Sequence, residues 1–466
     1  MQDNGTSVHW HGVRQWHSAD QDGTNGITEC PIAPGDTRTY KFQVTQYGSS
    51  LYHSHFSAQY GDGIVGPIVF EGPASANYDV DLGPYTINEW YYLTSWQVAS
   101  LSTAALQGKG LPPQADTMII NGTGTNADGD GTHNKVKIQK GKRYLLRLIN
   151  IGVDNYIRVS LDSHQLQVIA ADFVPIVPYY TETLLIGAGQ RYDVIIDANQ
   201  IRGNYWFRAD VATACFSTNH HNATAIWTYE GAGEDLPTTS PYHFPFDCSE
   251  PQAMMPIVYQ PVPSENLYSG FKELDVNFTN QVIVPGGDSI TVWAINSVAI
   301  NVDWDKPTLQ YVMEGNTSYP DDLTIFPTIS EGGWNYWLIQ QSAAVPKVPH
   351  PIHLHGHDFF ILGQGYGLFN VNNVSLNYDT PARRDTASVY GGGGGGWLAL
   401  AFESNNPGAW LMHCHIARHI SASLGVQFLE SPSLIPLPNQ SSFEQACASW
   451  KAYSKTAYWK KEDSGL

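Results

Sequence analysis

Apolar and polar positions alternate in short runs along most of this chain. Residues 40–44 alternate like a half-buried strand, and strands are suggested at 135–138, 144–149, 156–161, 167–170 and 192–196, with turn residues between them. Residues 64–70 and 409–412 are continuous apolar runs that read as buried strands. Residues 442–458 predict one terminal helix carrying Cys447. The pattern implies an all-β chain of Greek-key sandwiches or barrels. It divides into residues 1–75, residues 76–235, a proline-rich linker over 236–263, and a last unit over 264–466. Six consecutive glycines at 391–396 predict a flexible loop.

Length and composition agree. A chain of 466 residues is enough for about three domains of ~150 residues. Its 43 glycines and 28 prolines suit many turns. The net charge of −19 argues against nucleic acid as a partner. No apolar run approaches the ~20 residues of a membrane span, so no membrane partner is expected. Asn-x-Ser/Thr triplets stand at Asn4, Asn121, Asn222, Asn277, Asn316, Asn373 and Asn439. With Cys30, Cys215, Cys248 and Cys447 available for two disulfides, they favour a secreted glycoprotein. Residue 1 is Met and no signal peptide follows it, so the start is expected to be missing.

The histidines carry the chemistry. Four His-x-His pairs occur, at His9/His11, His53/His55, His353/His355 and His413/His415. Two histidines two apart on a strand share a face, so each pair can serve one metal site. Eight such imidazoles suit a cluster of three metal ions. Cys414 lies between His413 and His415 and would face the other way, toward a second site with His350 and His419. One thiolate with two imidazoles is a blue-copper ligand set, whereas zinc favours a single tetrahedral set. Ten residues beyond Cys414 stands Leu424, a non-ligating side chain for the axial position that would raise the reduction potential. The histidines of the middle unit, His133, His164, His220 and His221, read as surface or loop residues.

The motifs His9-Trp10-His11-Gly12, His53-Ser54-His55-Phe56, His350-x-x-His353-x-His355 and His413-Cys414-His415-x-x-x-His419 resemble the four copper signatures of the multicopper oxidases. Residues 57–63, Gly189-Gln190-Arg191-Tyr192-Asp193 and the final Asp463-Ser464-Gly465-Leu466 resemble the laccases of ascomycete fungi. The resemblance implies three cupredoxin-like domains and four copper ions. His350, Cys414 and His419 would hold type 1 copper, His9 and His353 type 2, and His11, His53, His55, His355, His413 and His415 the type 3 pair. It implies disulfides Cys30–Cys447 and Cys215–Cys248, and a C-terminal tetrapeptide that plugs the channel to the cluster. Laccases of this type carry further strands before the first pair, so the first domain is expected to be incomplete, with the strand of His9 and His11 left as an open edge.

The reaction implied is one-electron oxidation of phenols or aromatic amines, docked at the edge of His419, coupled to four-electron reduction of O2 to water. Glu182 is the expected pocket carboxylate for the phenolic proton, Trp293 a pocket wall, and Asp22 the expected proton donor at the cluster. A secreted monomer is expected. The alternatives are a metal-ion oxidase of the same family, against which Arg418 beside His419 argues, and a truncated non-catalytic form.

Overall fold

The computed structural model describes residues 4–244, 246–251, 254–264, 270–328 and 331–466. Five sheets hold most of its regular structure, and the helices Ser95–Leu106 and Gln440–Ser454 are the longest among the described residues. The first is a three-stranded antiparallel sheet of His9–Trp10, Gly48–His53 and Val65–Phe70. Its register sets His9 opposite His53. The strand His9–Trp10 pairs on one side only and is an edge, as expected. Residues 40–44 differ from the expectation. Burial alternates only over 40–43, Val44 is exposed, and the segment joins no ladder among the described residues. Tyr40 and Phe42 instead pack their rings on Trp10, with centroids 5.7 and 5.3 Å away. An alternating pattern needs a neighbouring backbone to become a strand, and here only the side-chain face is matched.

Residues 80–229 form a six-stranded and a five-stranded sheet, and residues 272–430 form a second such pair. Both are mixed sheets. Val80–Trp90 runs parallel to Arg143–Asn150, and Lys272–Val282 runs parallel to Trp334–Gln341. Each pair of sheets encloses its own core, with Phe207, Trp227 and Leu148 in one and Trp337, Phe402 and Trp410 in the other. Alternation fails to predict the second unit's histidines uniformly. His164 is buried, between the Asp162 carbonyl at 2.8 Å and the Tyr229 hydroxyl at 2.8 Å, so its reading as a surface residue is corrected. Residues 236–263 contain no helix or strand where described, and 245, 252 and 253 lie outside the described residues.

The six glycines are a tight contact, not only a flexible loop. A Cβ on Gly391 would lie 2.1 Å from the Lys347 carbonyl, and one on Gly395 would lie 2.1 Å from that of Gln341. These glycines let two loops touch through their backbones.

A third apolar cluster joins the two ends of the chain. It contains Cys30, Phe56, Trp304, Trp450 and Leu466, with the Phe56 and Trp304 rings stacked at 4.3 Å. The terminal helix Gln440–Ser454 brings Cys447 to Cys30, and the second disulfide joins Cys215 to Cys248. Replacing Cys30 and Cys447 together by Ala should therefore cost about 4 kcal/mol, because the bond closes a loop of 417 residues in the unfolded chain. Calorimetric unfolding of the double variant against the native chain measures it. An unchanged midpoint would mean that the terminal helix is held by packing alone.

Candidate metal centre

The third unit's five-stranded sheet builds most of the centre. His350–Leu354 lies between Thr386–Val389 and Gly408–Cys414, in a register that sets His353 opposite His413 and Ile352 opposite Cys414. The chain turns out of the strand after Cys414 into the short helix Ala417–Ser421, which carries His419. His415 therefore lies just past the strand end, and its backbone N–H donates to the Pro351 carbonyl at 2.7 Å.

All ten histidines and Cys414 are buried and gather into groups that could hold metal. The ligand atoms of His9, His11 and His353 lie within 4.8 Å of one another. So do those of His11, His53 and His415, those of His55, His355 and His413, and those of His350, Cys414 and His419. In the last group Cys414 Sγ is 3.5 Å from Nδ1 of both His350 and His419. Leu424 is buried beside it. Its carbonyl accepts from the Cys414 N–H at 3.1 Å, and its N–H donates to the His419 carbonyl at 2.9 Å.

Four of the rings are aimed through their second nitrogen. His9 Nδ1 meets the Asp22 carbonyl at 3.0 Å, His53 Nδ1 that of Ser54 at 3.0 Å, and His353 Nδ1 that of Asp385 at 2.8 Å. His355 Nδ1 lies 2.8 Å from the Asp22 carboxylate. The opposite Nε2 atoms of all four rings are buried without a hydrogen-bond partner. Orphaned imidazole nitrogens are costly in a dry interior, and metal ligation satisfies them. Burial, and then the neighbouring imidazoles, hold His11, His55, His355, His413 and His415 well below the usual pKa. His53 and His350 are lowered to about 3, chiefly by burial. These rings are neutral and present lone pairs. Burial pushes the Cys414 thiol up, so its thiolate needs a cation beside it. The donor set fits three copper ions in one cluster and a fourth at the thiol.

A charged network, missed in the sequence, supports the cluster. Arg191 is fully buried and grips Asp385 with two nitrogens, at 2.6 and 2.7 Å. Arg384 grips Asp172 at 3.0 and 3.0 Å, and Asp172 also accepts from the Arg191 N–H at 3.0 Å. Asp385 lies 3.2 Å from His11 Nε2. Burial by itself would raise Asp385, but Arg191 and the two histidines hold it well below the usual carboxylate range. Two glycines of the quoted motifs are required here. A Cβ on Gly12 would lie 2.2 Å from Asp385, and one on Gly189 would lie 2.9 Å from His415. The signal was present in Gly189-Gln190-Arg191 and in Arg384-Asp385, which sequence reading left without a physical role.

Beside His419 opens a cavity of about 310 Å³, lined by Leu106, Pro112, Phe216, Trp293, Val348 and Arg418 among others. Trp293 packs its ring 4.9 Å from His350 and 4.8 Å from His419, which makes it a wall of both the cavity and the thiol site. Glu182 does not line this cavity. It is exposed on the turn after the strand Val174–Thr181, and the expectation for it is corrected. The carboxylate that lines the cavity is Asp154. Asp22 is fully buried, with Thr24 donating to it at 2.6 Å and His355 at 2.8 Å.

Three multicopper oxidase family models match the chain, over residues 1–75, 82–232 and 301–433. Laccase-3 of Botryotinia fuckeliana is 48% identical over 92% of this chain and 95% of its own length. A laccase of Neurospora crassa is 42% identical over 100% of this chain and 76% of its own. Among solved structures, the laccase from Botrytis aclada superposes with a TM-score of 0.90 at 41% identity, over 100% of this chain and 86% of that one. Fet3p, a multicopper oxidase that functions in iron import, gives 0.83 at 24% identity over 100% and 88%, a likeness of fold alone.

Replacing Asp385 by Asn should leave Arg191 buried with half its counter-charge, at a cost of about 3–5 kcal/mol. It should also weaken copper binding roughly tenfold or more, by loosening His11 and His353. The thermal midpoint of the copper-free chain and elemental copper per chain read the two effects separately. A variant unchanged in both would remove the network from any supporting role.

Proposed function

The chain belongs to the multicopper oxidase family, in its fungal laccase branch, and we infer from that premise how its residues divide the work. It is a copper-dependent oxidoreductase that couples oxidation of phenolic donors to reduction of O2. Bound copper supplies the one-electron acceptor at the thiol site and the O2-reducing cluster at the eight imidazoles. The observation that carries the reading is the joint presence of the His350, Cys414 and His419 group and the three imidazole groups in one chain.

In this proposal the apolar walls of the cavity hold an aromatic ring against His419. Asp154 accepts the proton that a phenol loses as it gives up an electron. Cys414 is joined through the backbone to His413 and His415, so the thiol site and the cluster share a short covalent path. Leu424, buried beside the thiol, would offer a copper held there no further ligand. Asp22 positions His9 and His355 and offers a carboxylate where O2 reduction consumes protons. We propose His350, Cys414 and His419 as the type 1 ligands and His9 and His353 as type 2. The type 3 ligands are His11, His53, His55, His355, His413 and His415. We propose the same domain limits and a secreted monomer; the two disulfides favour an oxidising compartment. A metal-ion oxidase is disfavoured, because the carboxylate of the cavity is already paired with Arg418.

Cys414→Ser should bind three copper ions instead of four, lose the blue absorption and oxidise no phenol. A variant that kept the blue band would place the thiol site elsewhere. Asp154→Asn should lower kcat/KM for a methoxyphenol by on the order of tenfold or more and spare a non-phenolic electron donor. Glu182→Gln should change neither. Equal losses on both donors in Asp154→Asn would deny Asp154 the proton.

A further inference from the structure

Arg418 has no part in the steps above, yet it stands next to His419 in the helix Ala417–Ser421 and lines the same cavity. The remaining walls are apolar or neutral apart from Asp154 and the ring of His419. Arg418 and Asp154 meet at 2.5 Å, with side chains 16% and 15% exposed. Their contact does not exhaust the guanidinium. It carries five N–H donors, of which Asp154 meets one terminal nitrogen, while the neighbouring Tyr91 hydroxyl also draws on the group. The nearby buried carboxylate of Glu89 is already engaged. It accepts the backbone N–H groups of Val153 at 2.9 Å and Asp154 at 3.1 Å, and also that of Asn155. The cavity therefore has an aryl-sized apolar body and a fixed cation at the residue next to its electron acceptor.

We propose that Arg418 makes this cavity selective for aromatic donors that bear a second, anionic group, a ring carboxylate or sulfonate, over their neutral esters and over cationic aryl amines. The ring lies against Trp293, Leu106, Pro112 and Val348 with its hydroxyl toward His419, and the anion bonds the free face of the guanidinium. Such charge-assisted bonds are short and strong, and arginine keeps its charge at every working pH. The chain's overall charge of −19 opposes an approaching anion. That repulsion is screened beyond about 10 Å at ordinary ionic strength, whereas the contact with Arg418 is made in a part-dry pocket and is not. Asp154 competes for the guanidinium, so its removal strengthens the preference.

The inference rests on the laccase reading of this cavity, and the experiment separates the two. For 3,4-dihydroxybenzoate and its methyl ester, kcat/KM is measured in the copper-loaded native chain, Arg418→Met, Arg418→Lys and the double variant Arg418→Met/Asp154→Asn. Comparing the acid-to-ester ratio between variants cancels the intrinsic reactivity of the two donors. The ratio should fall roughly tenfold in Arg418→Met and in the double variant, which leaves no unpaired carboxylate to disturb folding, and stay near the native value in Arg418→Lys. Calorimetric binding of 3,4-dimethoxybenzoate, which has no phenolic proton, should weaken by the same factor in Arg418→Met while its methyl ester binds unchanged. This second readout decides the matter even if no phenol is oxidised. A ratio and an affinity both untouched by Arg418→Met would overturn the proposal. So would a native chain that binds the ester and rejects the acid.

Discussion

Everything in this molecule is arranged around one demand: eight imidazoles must point ring nitrogens into one dry volume. A ring nitrogen buried without a partner is costly, and eight of them facing one another would scatter if the rings were free. The fold answers by fixing many of them through the far nitrogen, to backbone carbonyls of Asp22, Ser54, Asp385 and Cys414 or to the carboxylate of Asp22. Carbonyls are suitable anchors because sheet register sets their positions and they do not titrate. A second charged support, the pair of arginines and pair of aspartates behind His11, is balanced within itself and joins the second and third units to the first through Arg191 and the Ser49 carbonyl at 3.0 Å. Replacing it by apolar groups would cost the aim of the rings, not just stability.

The buried histidine groups were legible in the sequence because a period of two is a strong geometric statement. A His-x-His pair on a strand can only face one way, and a cysteine between two histidines can only face the other. The structure keeps that logic even where the strand stops, at His415. What was not legible depended on a neighbour far away in sequence. Residues 40–44 alternate like a strand, but pairing requires a second backbone that the alternation does not announce. His164 sits in a turn by its residue pattern and is buried because Tyr229 closes over it. Glu182 and Asp154 each lie beside a strand of the same unit, and only the packing of that unit against the helix Ala417–Ser421 decides which carboxylate reaches the cavity. Gly12 and Gly189 were visible as motif letters, but their reason, the approach of Asp385 and of His415, is a contact between distant strands.

The C-terminal segment shows how the thiol site and the cluster are kept in one frame. The Ser464 N–H donates to the Ser421 carbonyl at 2.9 Å, and its hydroxyl to that of Ile420 at 2.7 Å, at the end of the helix that carries Arg418 and His419. One residue on, the Gly465 carbonyl accepts from Asn25 at 2.7 Å and from the Trp304 indole at 2.9 Å. Asn25 follows the turn of Asp22 and Thr24 that aims His9 and His355. The last residues therefore touch the donor-facing helix on one side and the cluster's own turn on the other. Gly465 can do this because it has a φ of +90° and a Cβ there would lie 2.8 Å from Trp304. Held upstream by the Cys30–Cys447 bond and by Trp450 against Phe56, the segment is a strut whose two ends are fixed independently. A rigid strut between the two sites is what a fixed electron path requires, since the path runs through the backbone of residues 413–415 and a shift of the helix relative to the sheet would move His419 away from Cys414.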